Sequence, residues 1–380
     1  MSPQGKNADA SAYLLYHSIG MYPGKAEEMA AAFAAFSAGW GAHDNAQWMH
    51  ALGMRQEFID RWQTLIGAPA GTLTTSENVT TALNSLIGAL PEEHLKGRRL
   101  LIAGDCFPSM HFLLSGLAAR YGFTLDTVPL RPGESWVRDE DVIARWGPDV
   151  GVALLTFVTS TASHRCDLET LVAHGRRMGS IIGVDITQAV GLLPYDVMHP
   201  VVDFSISTSL KWLCATPGAG ILHVAEPLIE ACRPELRGWF SQADIFSWDL
   251  DKFAFANDIR RFDNGTPSIL ACAGSLPALR WHAGQDMAAL LAHNRRLAGS
   301  IVDTAKELKL KLVSPENEAE RGGSVMVALP DTVNPGAFVQ ELAGNGIYAD
   351  HRSQILRLSP GCMTTEAGIA RLAEALKAAL

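Results

Sequence analysis

Two residues stand in settings that allow chemistry. Lys211 lies in SLKWLCATPGAG, between Leu210 and the run Trp212, Leu213 and Cys214, rather than among the polar neighbours of a solvated lysine. Taking an amine out of water favours its neutral form, and lysines that form Schiff bases occupy such surroundings. Asp185 closes the apolar run Ile181 to Val184, 26 residues earlier. A carboxylate there could partner the nitrogen of a pyridinium ring. The same residue types also fit a structural reading, in which Lys211 is an ordinary surface lysine, and the motif alone leaves both open.

The elements that must carry these residues follow from hydrophobic patterning. Ile181 to Val184, Val201 to Ser207 and the run after the turn Thr216 to Gly220 read as buried strands. The first two each deliver one charged residue at a carboxyl end, where ligands bind in open α/β sheets. Arg99 to Ala103, Phe123 to Val128 and Val150 to Phe157 read as further strands, with helices over Asp139 to Trp146 and Leu168 to Met178. This alternation predicts a mainly parallel sheet covered on both faces. Thr72 to Leu90 begins β-branched and turns helical from Thr80. Such a turn, rich in Ser, Thr and Asn, is a helix cap and also an anion site, because free backbone N–H groups and the helix dipole converge there. Residues 25–39 and 46–66 have helical spacing, with the loop Gly39 to Asp44 between them. From Ser275 the pattern changes: one long helix over about 274–308, strands at Arg321 to Leu329 and Ile355 to Leu358, and helices at 335–344 and 364–380 form a small α+β lobe.

Composition bounds the function classes. The chain has 380 residues, of which 48% are hydrophobic and 19% charged, enough to build a large core. A formal charge of −9 argues against nucleic-acid binding. No apolar run reaches the roughly 18 residues of a membrane span. The start MSPQGKNADAS lacks the charged and apolar regions of a secretory signal. Six cysteines without CxxC spacing read as reduced thiols of a cytoplasmic enzyme, and twelve histidines without HExxH predict no metal site.

Specific segments then resemble a known family. VDITQAVG, with Asp185 and Gln188, is similar to the Asp-x-x-Gln motif of the pyridoxal-phosphate enzymes of aminotransferase class V, and SLKWLCATPGAGIL is similar to their lysine segment. ENVTTALN resembles their phosphate-binding turn, which puts Asn78, Val79 and Thr80 at the phosphate. Phe107-Pro108-Ser109 matches a Phe-Pro-Ser of the kynureninase branch, whose phenylalanine stacks on the pyridine ring. His17-Ser18-Ile19-Gly20 resembles that branch's entry segment. Gly238-Trp239-Phe240 resembles its Gly-Trp-Phe, whose indole N–H reaches the phosphate. Gly265-Thr266-Pro267 resembles the turn in which a partner-subunit threonine touches the phosphate. Arg357 in LRLSPG resembles the C-terminal arginine that binds the substrate α-carboxylate.

The resemblance implies a fold type I architecture: a large domain with a mainly parallel seven-stranded sheet flanked by helices, and a small C-terminal α+β domain. The expected division is an N-terminal segment 1–40, a cofactor domain 41–273 and a linking helix plus small domain 274–380. It implies pyridoxal 5'-phosphate as cofactor, a homodimer with shared active sites and an amino-acid substrate. Lys211 and Asp185 are the expected catalytic residues. Thr159 and Gln188 would flank the ring hydroxyl, and Thr208 would reach the phosphate. His43, Trp48 and Gln242 are candidates for substrate contact. Four departures bear on the reaction. Gln188 stands where kynureninase has His, Met110 where it has an acid, Leu210 where it has a tyrosine that helps hydrolytic proton transfer, and Ser241 and Gln242 where it has a substrate-side His. The leading expectation is kynureninase-like cleavage at the β-carbon, releasing alanine. Transamination, C–S lysis or desulfurisation, epimerisation, and a non-catalytic binding protein on the same fold are the alternatives.

Overall fold

Buried apolar runs capped by turn residues become the sheet, and amphipathic stretches become the helices around it. The computed structural model describes residues 11–379. The first ten residues of the expected N-terminal segment, and with them most of the stretch MSPQGKNADAS on which the expectation about a secretory signal rests, lie outside the described residues. Strand β1 (Ala12–Tyr13) precedes helices α1 (Lys25–Trp40) and α2 (Gln47–Ile66). The central part runs β2 (Leu73–Ser76), α3 (Val79–Ile87), β3 (Arg99–Ala103), α4 (Pro108–Tyr121), β4 (Thr124–Val128), α5 (Asp139–Arg145), β5 (Val150–Thr156), α6 (Leu168–Met178), β6 (Ile181–Asp185), β7 (Phe204–Thr208), β8 (Gly220–Val224) and α7 (Glu226–Ala231). The C-terminal part runs α8 (Ile269–Ala283), α9 (Met287–Glu307), β9 (Lys311–Leu312), β10 (Val325–Ala328), α10 (Pro335–Gly344), β11 (Ile347–Tyr348), β12 (Asp350–Arg352), β13 (Ile355–Leu358) and α11 (Glu366–Ala379).

The seven-stranded sheet has the order β2-β8-β7-β6-β5-β3-β4. Strand β8 runs antiparallel to both neighbours, and every other pair is parallel. Strand β6 is buried at all five positions, the mark of a strand covered on both faces. Its side chains alternate between two cores, as a period of two requires. Ile182 and Val184 join Phe58 and Trp62 of α2 and Leu276 of α8. Ile181 joins Leu83 of α3, Leu114 of α4 and Phe204 of β7.

Gly183 sits between those alternating side chains for a steric reason. A Cβ built on it would lie 1.8 Å from Cζ of Phe204, whose ring covers the glycine. Gly183→Val is therefore expected to overpack this layer and destabilise the protein by about 1–3 kcal/mol or more. A lowered midpoint of denaturant unfolding with an unchanged slope would check it.

A second, four-stranded antiparallel sheet, β12-β13-β10-β9, forms with α9, α10 and α11 a third core that includes Leu297, Val325, Leu356 and Leu372. Strand β1 pairs in parallel with β11, and Ala12 and Leu14 enter that core, while α1 packs against α8. The single helix expected over 274–308 is corrected to two. Helix α8 starts earlier, at Ile269, and ends at Ala283. Gly284 closes it, and the Asp286 carboxylate accepts the N–H groups of Ala288 and Ala289 (2.9 and 3.1 Å) to start α9. Among the described residues no helix is long and apolar enough to cross a membrane.

Candidate active site

Parallel strands bring their carboxyl ends to one edge, and register decides which side chains meet there. Thr156 of β5 is paired with Asp185 of β6, and Asp185 with Ile206 of β7, so Thr208 and the loop to Lys211 emerge beside Asp185. That loop is pinned from three sides. The Ser209 hydroxyl donates to the carbonyl of Ala219 (2.6 Å) and accepts from the Trp62 indole (3.1 Å), and the N–H of Gly20 donates to Leu210 O (2.9 Å). Gly20 is required for this approach, because a Cβ there would lie 1.8 Å from the carbonyl oxygen of Lys211.

Asn78, Val79, Thr80, Phe107, Asp185, Gln188, Thr208 and Lys211 line one cavity of ≈ 500 Å³, joined by Met110, Val158, Ser160 and Leu210. A larger groove of ≈ 770 Å³, lined by Trp136, Arg165, Tyr195 and Asp196 among others, contains none of the residues expected to act.

Within the cavity, Asp185 is buried and accepts one backbone hydrogen bond, from the N–H of Thr187 to Oδ1 (3.0 Å). Burial pushes its carboxyl above the usual carboxylate range, against the pull of Thr187 and Lys211. The Lys211 amine lies 5.5 Å from the centre of the Phe107 ring. Part of the side chain is open to the cavity, yet its surroundings exclude enough water that burial pushes the amine down to about 8. Asp185 opposes that shift, and the guanidinium groups of Arg357 and Arg352 add to it. In the cofactor-free protein Lys211 is therefore expected to titrate near pH 8, well below an ordinary lysine, as read by pH-dependent acylation of this residue. The sign for stability follows. The unfolded chain holds the proton to higher pH than the folded one, so this group costs stability below about pH 8 and the cost disappears as the pH rises toward the ordinary lysine range.

The start of α3 supplies the opposite end of the cavity. The Asn78 side chain accepts the N–H of Thr81 (2.9 Å), and the first intrahelical bond runs from Ala82 N to Asn78 O. The N–H groups of Val79 and Thr80 come ahead of that bond, available to an anion.

The remaining candidates are distributed differently. Thr159 is buried behind the wall, where its Oγ1 accepts the N–H of His164 (3.0 Å). Its neighbour Ser160, rather than Thr159, is among the residues that line the cavity. Ser160 Oγ is buried without a hydrogen-bond partner among the described residues. Sequence reading missed it, since a polar turn such as Val158-Thr159-Ser160-Thr161 does not show which hydroxyl points inward. Arg357 lies outside the lining residues, bound to Asp350. Trp239 is half-buried and packs edge-on against Trp48 (6.2 Å). Thr266 lines a separate cleft of ≈ 210 Å³ with Arg55 and Asn264. His43 is exposed in the loop between α1 and α2, and Gln242 reaches only the carbonyl of Trp239 (3.5 Å). All six cysteines are free thiols, and no group of three or more His, Cys, Asp or Glu among the described residues is placed to hold a metal.

This arrangement fits pyridoxal phosphate on the structure's own terms. An isolated buried carboxyl suits the ring nitrogen, a lysine of lowered pKa suits the aldehyde, a helix start suits the phosphate, and a flat aromatic suits the ring face.

Comparison with known proteins agrees. The family profile described as Aminotransferase class-V matches residues 49–369. The chain is 28% identical over 332 residues to a kynureninase of Deinococcus radiodurans, covering 84% of this chain and 78% of that one. It is 28% identical over 367 residues to an isopenicillin N epimerase of Streptomyces clavuligerus, covering 90% and 89%. Among solved structures it resembles C-DES, in a mutant with glycine covalently linked to the PLP cofactor. The TM-score is 0.84 at 20% identity over 96% of each chain, a likeness of fold.

Proposed function

The chain belongs to the aminotransferase class-V family and uses pyridoxal phosphate, and we propose that it acts on an α-amino acid, removing the α-proton and cleaving a bond at the β-carbon as kynureninases do. The observation that carries this is the convergence of Asp185, Lys211, Phe107 and the start of α3 on one cavity.

When bound, the cofactor supplies an electron sink for charge left at the α-carbon. The chain's own residues supply the rest. Asp185 would keep a ring nitrogen protonated through its carboxylate. The N–H groups of Val79 and Thr80, with Asn78 and Thr208, would hold a phosphate. Phe107 would supply a flat face for a ring, and Gln188 and Ser160 would supply polar contacts. The Lys211 amine would hold the cofactor and is the base of this cavity that would take the α-proton. Arg357 grips the substrate carboxylate. Met110, Val158 and Leu210 add apolar wall beside Thr81, Ser109, Thr156 and Thr187.

The reading extends to the whole protein. His43 and Thr266 are exposed and away from the cavity of their own chain, as is Trp48 with the nearby Met49 (42% and 70% exposed). We place these residues at the site of a second copy in a homodimer, with Trp239 kept as a phosphate contact and Gln242 as a substrate contact. The domain division is 1–40, 41–273 and 274–380, and the free thiols suit a cytoplasmic enzyme.

One observation favours a second reading. Leu210 offers no hydroxyl beside Lys211 for the proton transfers of hydrolysis, which suits epimerisation, the activity named for the Streptomyces relative. Incubating the holoenzyme with kynurenine, 3-hydroxykynurenine and a panel of amino acids, with mass spectrometry and chiral analysis of products, decides between them. Anthranilate or its hydroxy analogue with alanine is the expected result. Inversion at the α-carbon without bond cleavage would establish the second reading. Keto acids would make the protein an aminotransferase.

A further inference from the structure

Among the described residues, the side chain of Arg357 is hydrogen-bonded on one edge. Its Nε donates to Asp350 Oδ1 (2.8 Å) and its Nη2 to Asp350 Oδ2, a side-on bidentate pair between residues that face each other across β12 and β13. A guanidinium carries five N–H donors in a fixed plane. The side-on pair uses Nε–H and one Nη2–H, and leaves the end-on fork of Nη1 and Nη2 for a second carboxylate. The same pair fixes the plane in which that fork points.

Asp350 is itself fixed. His17 Nε2 lies 3.0 Å from Asp350 Oδ1, and the imidazole is 98% buried. On its other side, His17 Nδ1 meets the hydroxyl of Ser359 at 2.6 Å, so the ring is held between Ser359 and the Asp350 carboxylate. The carbonyl of His17 accepts from Nε2 of Gln188 (3.0 Å), a residue of the cavity wall. One residue of the N-terminal segment thus braces the cavity wall through its backbone and the Asp350–Arg357 pair through its side chain. The charge of Arg357 also bears on Lys211, so the pair and the cavity share one electrostatic neighbourhood.

We propose that Asp350, braced by His17, is a positioning residue that aims the free fork of Arg357 at the substrate carboxylate and so sets recognition of the amino acid. The inference rests on the assignment of Arg357 made above.

The test separates the two. In the holoenzyme, binding of an α-methyl amino acid, which has no α-proton to lose, is measured by calorimetry beside the matching amine that lacks the carboxylate. The wild type prefers the amino acid. Asp350→Asn keeps the shape and removes the charge. It is expected to reduce that preference about 10- to 100-fold, with amine binding unchanged and KM rising more than kcat falls. Asp350→Glu is expected to restore part of the preference, and His17→Ala to lose part of it. A preference that survives Asp350→Asn but is abolished by Arg357→Ala overturns the positioning role. A preference that survives Arg357→Ala overturns the carboxylate assignment itself. Equal weakening of amine and amino acid in Asp350→Asn would mark a general structural role and also overturn the proposal.

Discussion

Lys211→Ala is expected to fold normally, to lose the visible absorbance of lysine-bound cofactor, and to lose activity. The fold should survive because the loop is held by contacts that do not involve the amine: Ser209 to Ala219 and Trp62, and Gly20 to Leu210. The chemistry should not survive, because in the proposed mechanism the same nitrogen anchors the cofactor and moves the α-proton. A positioned acid or base alone contributes about 10²–10⁴-fold, so kcat is expected to fall by at least about 10³-fold. Circular dichroism would show the fold intact, and spectra with single-turnover kinetics would show the loss. A Lys211→Ala protein that keeps both the absorbance and most of the activity would remove Lys211 from the centre of the mechanism.

Asp185→Asn carries the second large effect. The carboxyl is buried, takes one hydrogen bond from Thr187 N–H, and is pushed up by burial against the pull of Thr187 and Lys211. A protonated ring nitrogen is the partner that would relieve this cost. Asparagine preserves the size and removes the charge. Activity is expected to fall by about 10²–10³-fold, the loss seen when one electrostatic contact to developing charge is removed, and cofactor is expected to dissociate more readily on dialysis. Stability of the cofactor-free protein should move the other way. A carboxyl whose folded pKa is raised loses stability as pH climbs from the ordinary carboxylate range through the folded value. Asp185→Asn removes that loss, so its cofactor-free form should melt above the wild type near neutral pH. A lower melting temperature would show that the carboxylate holds the fold rather than the cofactor. Because the proposed mechanism has Lys211 and Asp185 act on one group, their losses should not add in the double variant.

Periodicity was informative where elements are long and buried. The runs at 99–103, 168–178, 335–344 and 355–358 coincide with β3, α6, α10 and β13, because burial on fixed faces imposes a pattern that the sequence must carry. The two- and three-residue strands β9, β11 and β12 carry too few residues to show one. The break between α8 and α9 depends on a glycine and an aspartate whose capping role is decided by where α9 must turn.

By itself the sequence determined the chemistry: a lysine and an aspartate at the ends of apolar strands, a capping asparagine before a helix, and a phenylalanine before Pro108. Residue type and local order fix these properties, and the fold only has to gather them. The tertiary structure alone decided which of two adjacent hydroxyls, Thr159 or Ser160, faces the cavity. It alone joined His17 to Asp350 and Arg357, residues more than 330 positions apart along the chain. Asp350 and Arg357 meet across the adjacent strands β12 and β13, but the contact of His17 with them is long-range, and no local propensity records which distant carboxylate will meet a given imidazole.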